Sequence, residues 1–147
     1  MSRTWVTPGG VHPPENKHQS VTQPIGQLPI PEKLIIPLSQ HIGAPAIACV
    51  KQGDSVLKGQ KIADPAGTVS AAIHAPTSGT VTAIESRPIA HSSGMEALCI
   101  EITSDGKDQW IEHSGIADYT AIDKKELLNR IRESGIAGMG GAGFPSA

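Results

Sequence analysis

From Leu34 to Thr103 the chain breaks into short apolar or alternating stretches: LIIPL, AIACV, VKQGDSVLKGQKIAD, SAAIHAP, SGTVTAIES and ALCIEITS. Each is bounded by Gly, Pro, Asp or Ser, and β-branched runs between such turn residues predict strands. Six or more short strands in this space predict a small sandwich or barrel. Gly53-Asp54 and Gly59-Gln60 flank Ser55 to Lys58, which turns Val56 inward between two turns. Ser78-Gly79 precedes the alternation of Val81 and Ala83 in the same way, so the two halves read as rough copies.

The flanks follow other patterns. Residues 1–33 hold Pro8, Pro13, Pro14, Pro24, Pro29 and Pro31, with Pro37 just beyond, and show no helical period. They predict an extended arm, held by docking rather than by a core of its own. Asp105-Gly106 marks a turn, and Trp110-Ile111 opens a connecting segment, 106–122, in which Trp110 is expected to act as a packing anchor. Asp123 to Ser134 predicts a helix: Asp123 as N-cap with Glu126 three residues on, an Ile122/Leu127 staple, and Leu127, Leu128 and Ile131 on one face. Arg130 and Arg132 suit its last turns, and Gly135 its left-handed stop.

Composition sharpens this. Sixteen Gly and 12 Pro with only 3% aromatic residues require an aliphatic and alanine core between many turns. A length of 147 residues predicts one compact unit with tails. A net charge of −2 and no Lys/Arg run argue against a nucleic-acid surface. No apolar run reaches the roughly 18–20 residues that span a bilayer, and the N-terminus lacks a signal-peptide pattern, so the segment is expected to have no membrane span of its own. Cys49 and Cys99 sit in apolar contexts without CxxC spacing and read as small buried hydrophobes rather than ligands. His12 and His18, six apart, do not have a zinc spacing, and no metal site is expected.

Chemistry concentrates at the end of the sequence. In GIAGMGGAGFPSA, Gly138, Gly140, Gly141 and Gly143 follow directly on the helix and its stop. Such a stretch lets backbone N–H groups approach a bulky or anionic ligand without Cβ obstruction. By itself the spacing is equally that of a linker or a packing turn.

Two resemblances add to these readings. V-x-x-G-D-x-V-x-x-G-Q (Val50 to Gln60) followed by IHAPTSGTV (Ile73 to Val81) resembles the barrel-sandwich hybrid fold of biotinyl and lipoyl carrier domains. The resemblance places their modified lysine at Thr68, and no lysine occurs between Lys61 and Lys107. A swinging-arm role is therefore excluded, and the hairpin tip, Asp64 to Ser70, is left as either a contact surface for another domain or subunit or a plain exposed turn. GMGGAGFPS is similar to the loop that lines the FMN and NADH site in the flavoprotein subunit of respiratory complex I.

Taken together, GGVHPPENK, IPLSQHIGAPA, HAPTSGTVTAI and GGAGFPS resemble the family of C subunits of Rnf (Rsx) electron transport complexes. The resemblance implies the front part of a peripheral subunit on the cytoplasmic side of the bacterial inner membrane, with the other subunits of an ion-translocating ferredoxin:NAD oxidoreductase as partners. It implies a mainly β chain: an arm (1–33), a barrel-sandwich hybrid domain (34–105), a connector (106–122), and a helix opening an incomplete α/β flavin-nucleotide domain (123–147). Gly138, Gly140, Gly141, Ala142 and Gly143 would form one edge of the FMN/NADH site, with Phe144 and Pro145 stiffening its exit. FMN/NADH and two [4Fe-4S] clusters belong to the full-length parent, and none is expected on these residues alone. Two alternatives stay open: the A subunit of a Na+-translocating NADH:quinone reductase, and a non-catalytic biotinyl/lipoyl-like interaction module.

Overall fold

The computed structural model describes Gly9 and residues 13–147. His12, one half of the His12/His18 pair, lies outside the described residues.

Seven strands form where short apolar runs meet turn residues: β1 Lys33–Pro37, β2 Ile47–Ala48, β3 Ser55–Val56, β4 Lys61–Asp64, β5 Ile73–His74, β6 Gly79–Pro88 and β7 Glu96–Ser104. They make a four-stranded sheet in the order β1-β7-β6-β3 and a three-stranded sheet β2-β4-β5, all antiparallel. The pairing sets Ile36 and Ile84 opposite Ile100, and Leu34 and Val81 opposite Ile102. One face of the larger sheet is thereby apolar. A register shift between Val81 and Ala83 bulges β6, which adds twist and curls the sheet around the core.

The core is what a chain poor in aromatics must build. Val81, Ile100 and Ile102 of the larger sheet meet Ile62, Ala63 and Ile73 of the smaller one, with Ile36, Leu38 and Val56 closing the sides. Val56 points inward as its flanking turns require. Gly53 N–H donates to Val81 O and Val81 N–H to Asp54 O, and the same exchange recurs between Gly59, Ala75 and Gln60. This repeated pair of bonds ties the turns on either side of Ser55 to Lys58 to Val81 and Ala75.

The opposite face of β7 carries Glu101. Although its side chain is buried, its carboxylate is fully engaged: Lys33 Nζ at 2.8 Å, Arg87 Nη2 at 3.0 Å and Thr82 Oγ1 at 3.0 Å. The hydrogen bond from Lys33, then that from Thr82, holds this carboxyl below its ordinary range against the desolvation that would raise it.

The flanks pack less. Residues 13–32 are exposed throughout, including Val21, Ile25 and Leu28, and form only a single 3-10 turn, Lys17–Gln19. The connector is stitched to the barrel, because Lys58 N–H donates to Gln109 O and Ile111 N–H to Lys58 O. Trp110 anchors it by lying over Gly59, with Lys58 Nζ 4.8 Å from its ring centroid, yet about half of the indole stays exposed. Helix α1, Lys124–Glu133, starts at Asp123, whose carboxylate accepts from Lys125 N–H. Glu126 pairs with Arg130 one turn on rather than reaching back to the cap. None of its residues is fully buried, so Leu127 and Ile131 are half covered and Leu128 faces out. Among the described residues no α/β sheet follows α1. A folded flavin-nucleotide domain, of which the sequence predicts only the start at 123–147, is not present among the described residues, where that stretch forms one helix and a closed turn.

Candidate functional site

The helix stop decides where the glycine-rich segment lies. Ser134 caps α1, and Gly135 turns the chain at φ 67° with its N–H donating to Arg132 O. A Cβ on Gly135 would stand 2.3 Å from Ala72 O, so only glycine lets the chain leave the helix this close to the barrel. Beyond it the chain folds back as a hairpin. Ala137 bridges Pro145, Ser146 N–H donates to Ile136 O (2.9 Å) and Gly138 N–H to Phe144 O (2.8 Å). Pro145 is buried at the base of this hairpin, and the Phe144 side chain is exposed.

The hairpin tip brings Gly138, Gly140, Gly141, Ala142 and Gly143 together. Gly143 N–H closes onto Gly140 O at 3.3 Å. The N–H groups of Met139, Gly140, Gly141 and Ala142 have no hydrogen-bond partner among the described residues. Gly141 and Gly143 have positive φ, which explains their lack of a side chain. Gly140 has neither positive φ nor any neighbouring atom within 4 Å of a would-be Cβ, so nothing among the described residues requires glycine there. At Gly140 and Gly141 two successive free N–H donors have no Cβ beside them, which is the chemistry an anionic or planar group needs for close approach. By these features the loop fits a phosphate-bearing flavin or nucleotide.

The loop is seated on the barrel by the segment after β1. Ile42 N–H donates to Ala142 O at 3.0 Å, and Gly143 lies against Gln40 O and the His41 Cα. His41 in turn accepts the Ala71 N–H at Nε2 (3.0 Å) and places Nδ1 2.9 Å from Ile42 O. Beside the loop's base is an open cavity of about 660 Å3 lined by Ile36, His41, Ile73, His74, Gly135 and Ala137 among others. The five tip residues do not line it. Burial first, and the nearby Lys61 charge second, hold His74 below its ordinary value.

The hairpin tip Asp64 to Ser70 is partly covered and exposed only at Gly67 and Thr68. Its flank is covered by the chain's own helix end and the loop after β1. Lys61 Nζ lies 2.6 Å from both Asp64 and Glu133, the Arg132 guanidinium donates to Gly67 O, and Ala44 N–H donates to Val69 O. Thr68, where a carrier would hold its lysine, remains exposed at the apex. Cys99 is buried in β7 and Cys49 is exposed after β2, correcting the expectation that both are buried. Desolvation pushes both thiols up. A [4Fe-4S] cluster takes four thiolates, and two cysteines do not fit one. His41 is the residue sequence reasoning passed over, since its partners are 30 residues away and in the next peptide unit, and no local motif marks them.

Residues 5–107 match a family model described as the RnfC barrel sandwich hybrid domain. The chain belongs to the RnfC family. This decides for the C subunit over the quinone-reductase relative and over an unrelated carrier-like module. The chain is 54% identical over its whole length to the C subunit of the ion-translocating oxidoreductase complex of Pseudomonas aeruginosa, of which it covers 19%. It is 50% identical over 99% of its length to the subunits of the same name from Serratia proteamaculans and Vibrio cholerae, covering 20% and 19% of them. The RnfC chain here thus spans about a fifth of the length of these curated relatives. Its glycine-rich loop lies beyond the family-model match but within the stretch aligned to the Pseudomonas protein.

Proposed function

We propose that this RnfC chain is the N-terminal scaffold of the C subunit of an ion-translocating ferredoxin:NAD oxidoreductase. Its barrel is a docking body, and its glycine-rich loop is the first edge of an FMN/NADH site completed by the rest of the RnfC protein. In this reading the [4Fe-4S] clusters are held further along the same polypeptide, the other subunits of the complex are its partners, and the whole sits peripherally on the cytoplasmic face of the bacterial inner membrane. Among the described residues no helix is long and apolar enough to cross a membrane, in keeping with a peripheral seat.

The observation that carries the reading is Gly140, a glycine with open space around it, between neighbours whose N–H groups are free. When bound, a flavin supplies the hydride and electron chemistry, while this chain's part is to present donors and keep side chains out of the way. In a full-length RnfC protein that contains this chain, Gly140→Val should leave the unfolding midpoint unchanged and weaken FMN binding at least tenfold. An unaltered FMN titration would remove the loop from the site.

A further inference from the structure

We propose that His41 is a positioning residue for the glycine-rich loop, fixing the loop's free N–H groups relative to the barrel; this rests on the reading of that loop as a flavin-nucleotide edge. The ring's partners fix where its hydrogen lies. Ala71 N–H donates to Nε2, so Nε2 is bare, and Nδ1 faces the Ile42 carbonyl, so Nδ1 carries the proton. The ring is thus a neutral strut with an acceptor at one end and a donor at the other.

Each end is tied to something rigid. Ala71 is buried in the return from the carrier-like hairpin, next to Ala72, whose carbonyl abuts Gly135. At the other end the same Ile42 residue that accepts from the ring offers its N–H to Ala142 O, and Gly143 rests on Gln40 and His41 backbone. The loop therefore meets the barrel at two places, Gly135 on Ala72 and Ala142-Gly143 on residues 40–42, and His41 bolts the second to the first. Within the loop itself only the Gly138–Phe144 and Gly143–Gly140 bonds hold the tip, so its orientation depends on this seat. Without the imidazole, buried Ala71 N–H loses its acceptor and the 40–42 segment loses its anchor.

The test uses the full-length RnfC protein, with FMN titrated by flavin fluorescence. His41→Leu keeps the volume but neither hydrogen bond, and FMN should bind roughly tenfold more weakly. His41→Gln, which keeps one donor and one acceptor, should recover most of the affinity. Glu101→Gln, which loosens the charged outer face of the larger sheet, should leave affinity unchanged, separating positioning from general softening. Hydrogen exchange of the unaltered protein supplies a readout that needs no variant to fold: FMN should slow the Ala71 and Ile42 amides together. Unchanged affinity in His41→Leu, or FMN leaving both amides unaffected, overturns the proposal while Gly140→Val still weakens binding. If Gly140→Val is also silent, the loop reading itself fails.

Discussion

At the scale of single residues, Gly135 and Gly140 illustrate how differently the same letter is used within one short segment. Gly135 is demanded by the chain, through its φ of 67° and the Ala72 carbonyl where its Cβ would go. Gly135→Ala should cost about 2 kcal/mol or more in denaturant unfolding, from the left-handed conformation and the clash together. Gly140, with no such constraint, should tolerate alanine within about 0.5 kcal/mol. The glycine-rich segment was legible in the sequence as a loop that admits close approach. Which glycine the fold demands and which it leaves unconstrained was not, because φ and neighbours are set by where the barrel lies. His41 was illegible for the same reason, its role being a contact between segments 30 residues apart.

At the scale of elements, the alternating runs announced the strands and the Asp123 cap announced the helix, since both signals are local. What covers the flank of the hairpin was hidden, because it depends on α1 folding back beside it. That helix buries none of its residues and is tied down by Lys61–Glu133 and by Arg132 on Gly67. Its amides should exchange well before those of β6 and β7, whose ladder surrounds the core. Lys61→Met should speed exchange in α1 further while lowering stability by no more than about 1 kcal/mol, because the pair is partly exposed.

The charged elements set the pH response. His74 is held below 6.5 by burial and then by Lys61, and Glu101 below 4.5 chiefly by Lys33. Asp108 is held below 3.8 by Lys58 Nζ and Thr77 Oγ1. Each group binds protons less readily folded than unfolded, so each contributes stability that is present above its unfolded value and lost as pH falls through its folded one. The melting temperature should therefore decline gently as pH drops below about 6.5 and steeply below about 4.5. Glu101→Gln should flatten the steep part, and melting that rises on acidification would contradict these assignments.

At the scale of the molecule, the barrel is carrier-like in fold but has no lysine at its tip. The chain's own helix end is tied to the flank of that tip through Arg132 on Gly67 O, and the same helix leads into a glycine-rich loop seated at residues 40–42. In the proposed reading, free donors and an unobstructed Gly140 make that loop one wall of a site, and a single wall does not enclose a flavin or dinucleotide. The decisive measurement is FMN titration of this 147-residue chain beside a full-length RnfC protein, followed by flavin fluorescence. The full-length protein should bind and the isolated chain should bind weakly or not at all; sub-micromolar binding by the isolated chain would overturn the single-wall reading.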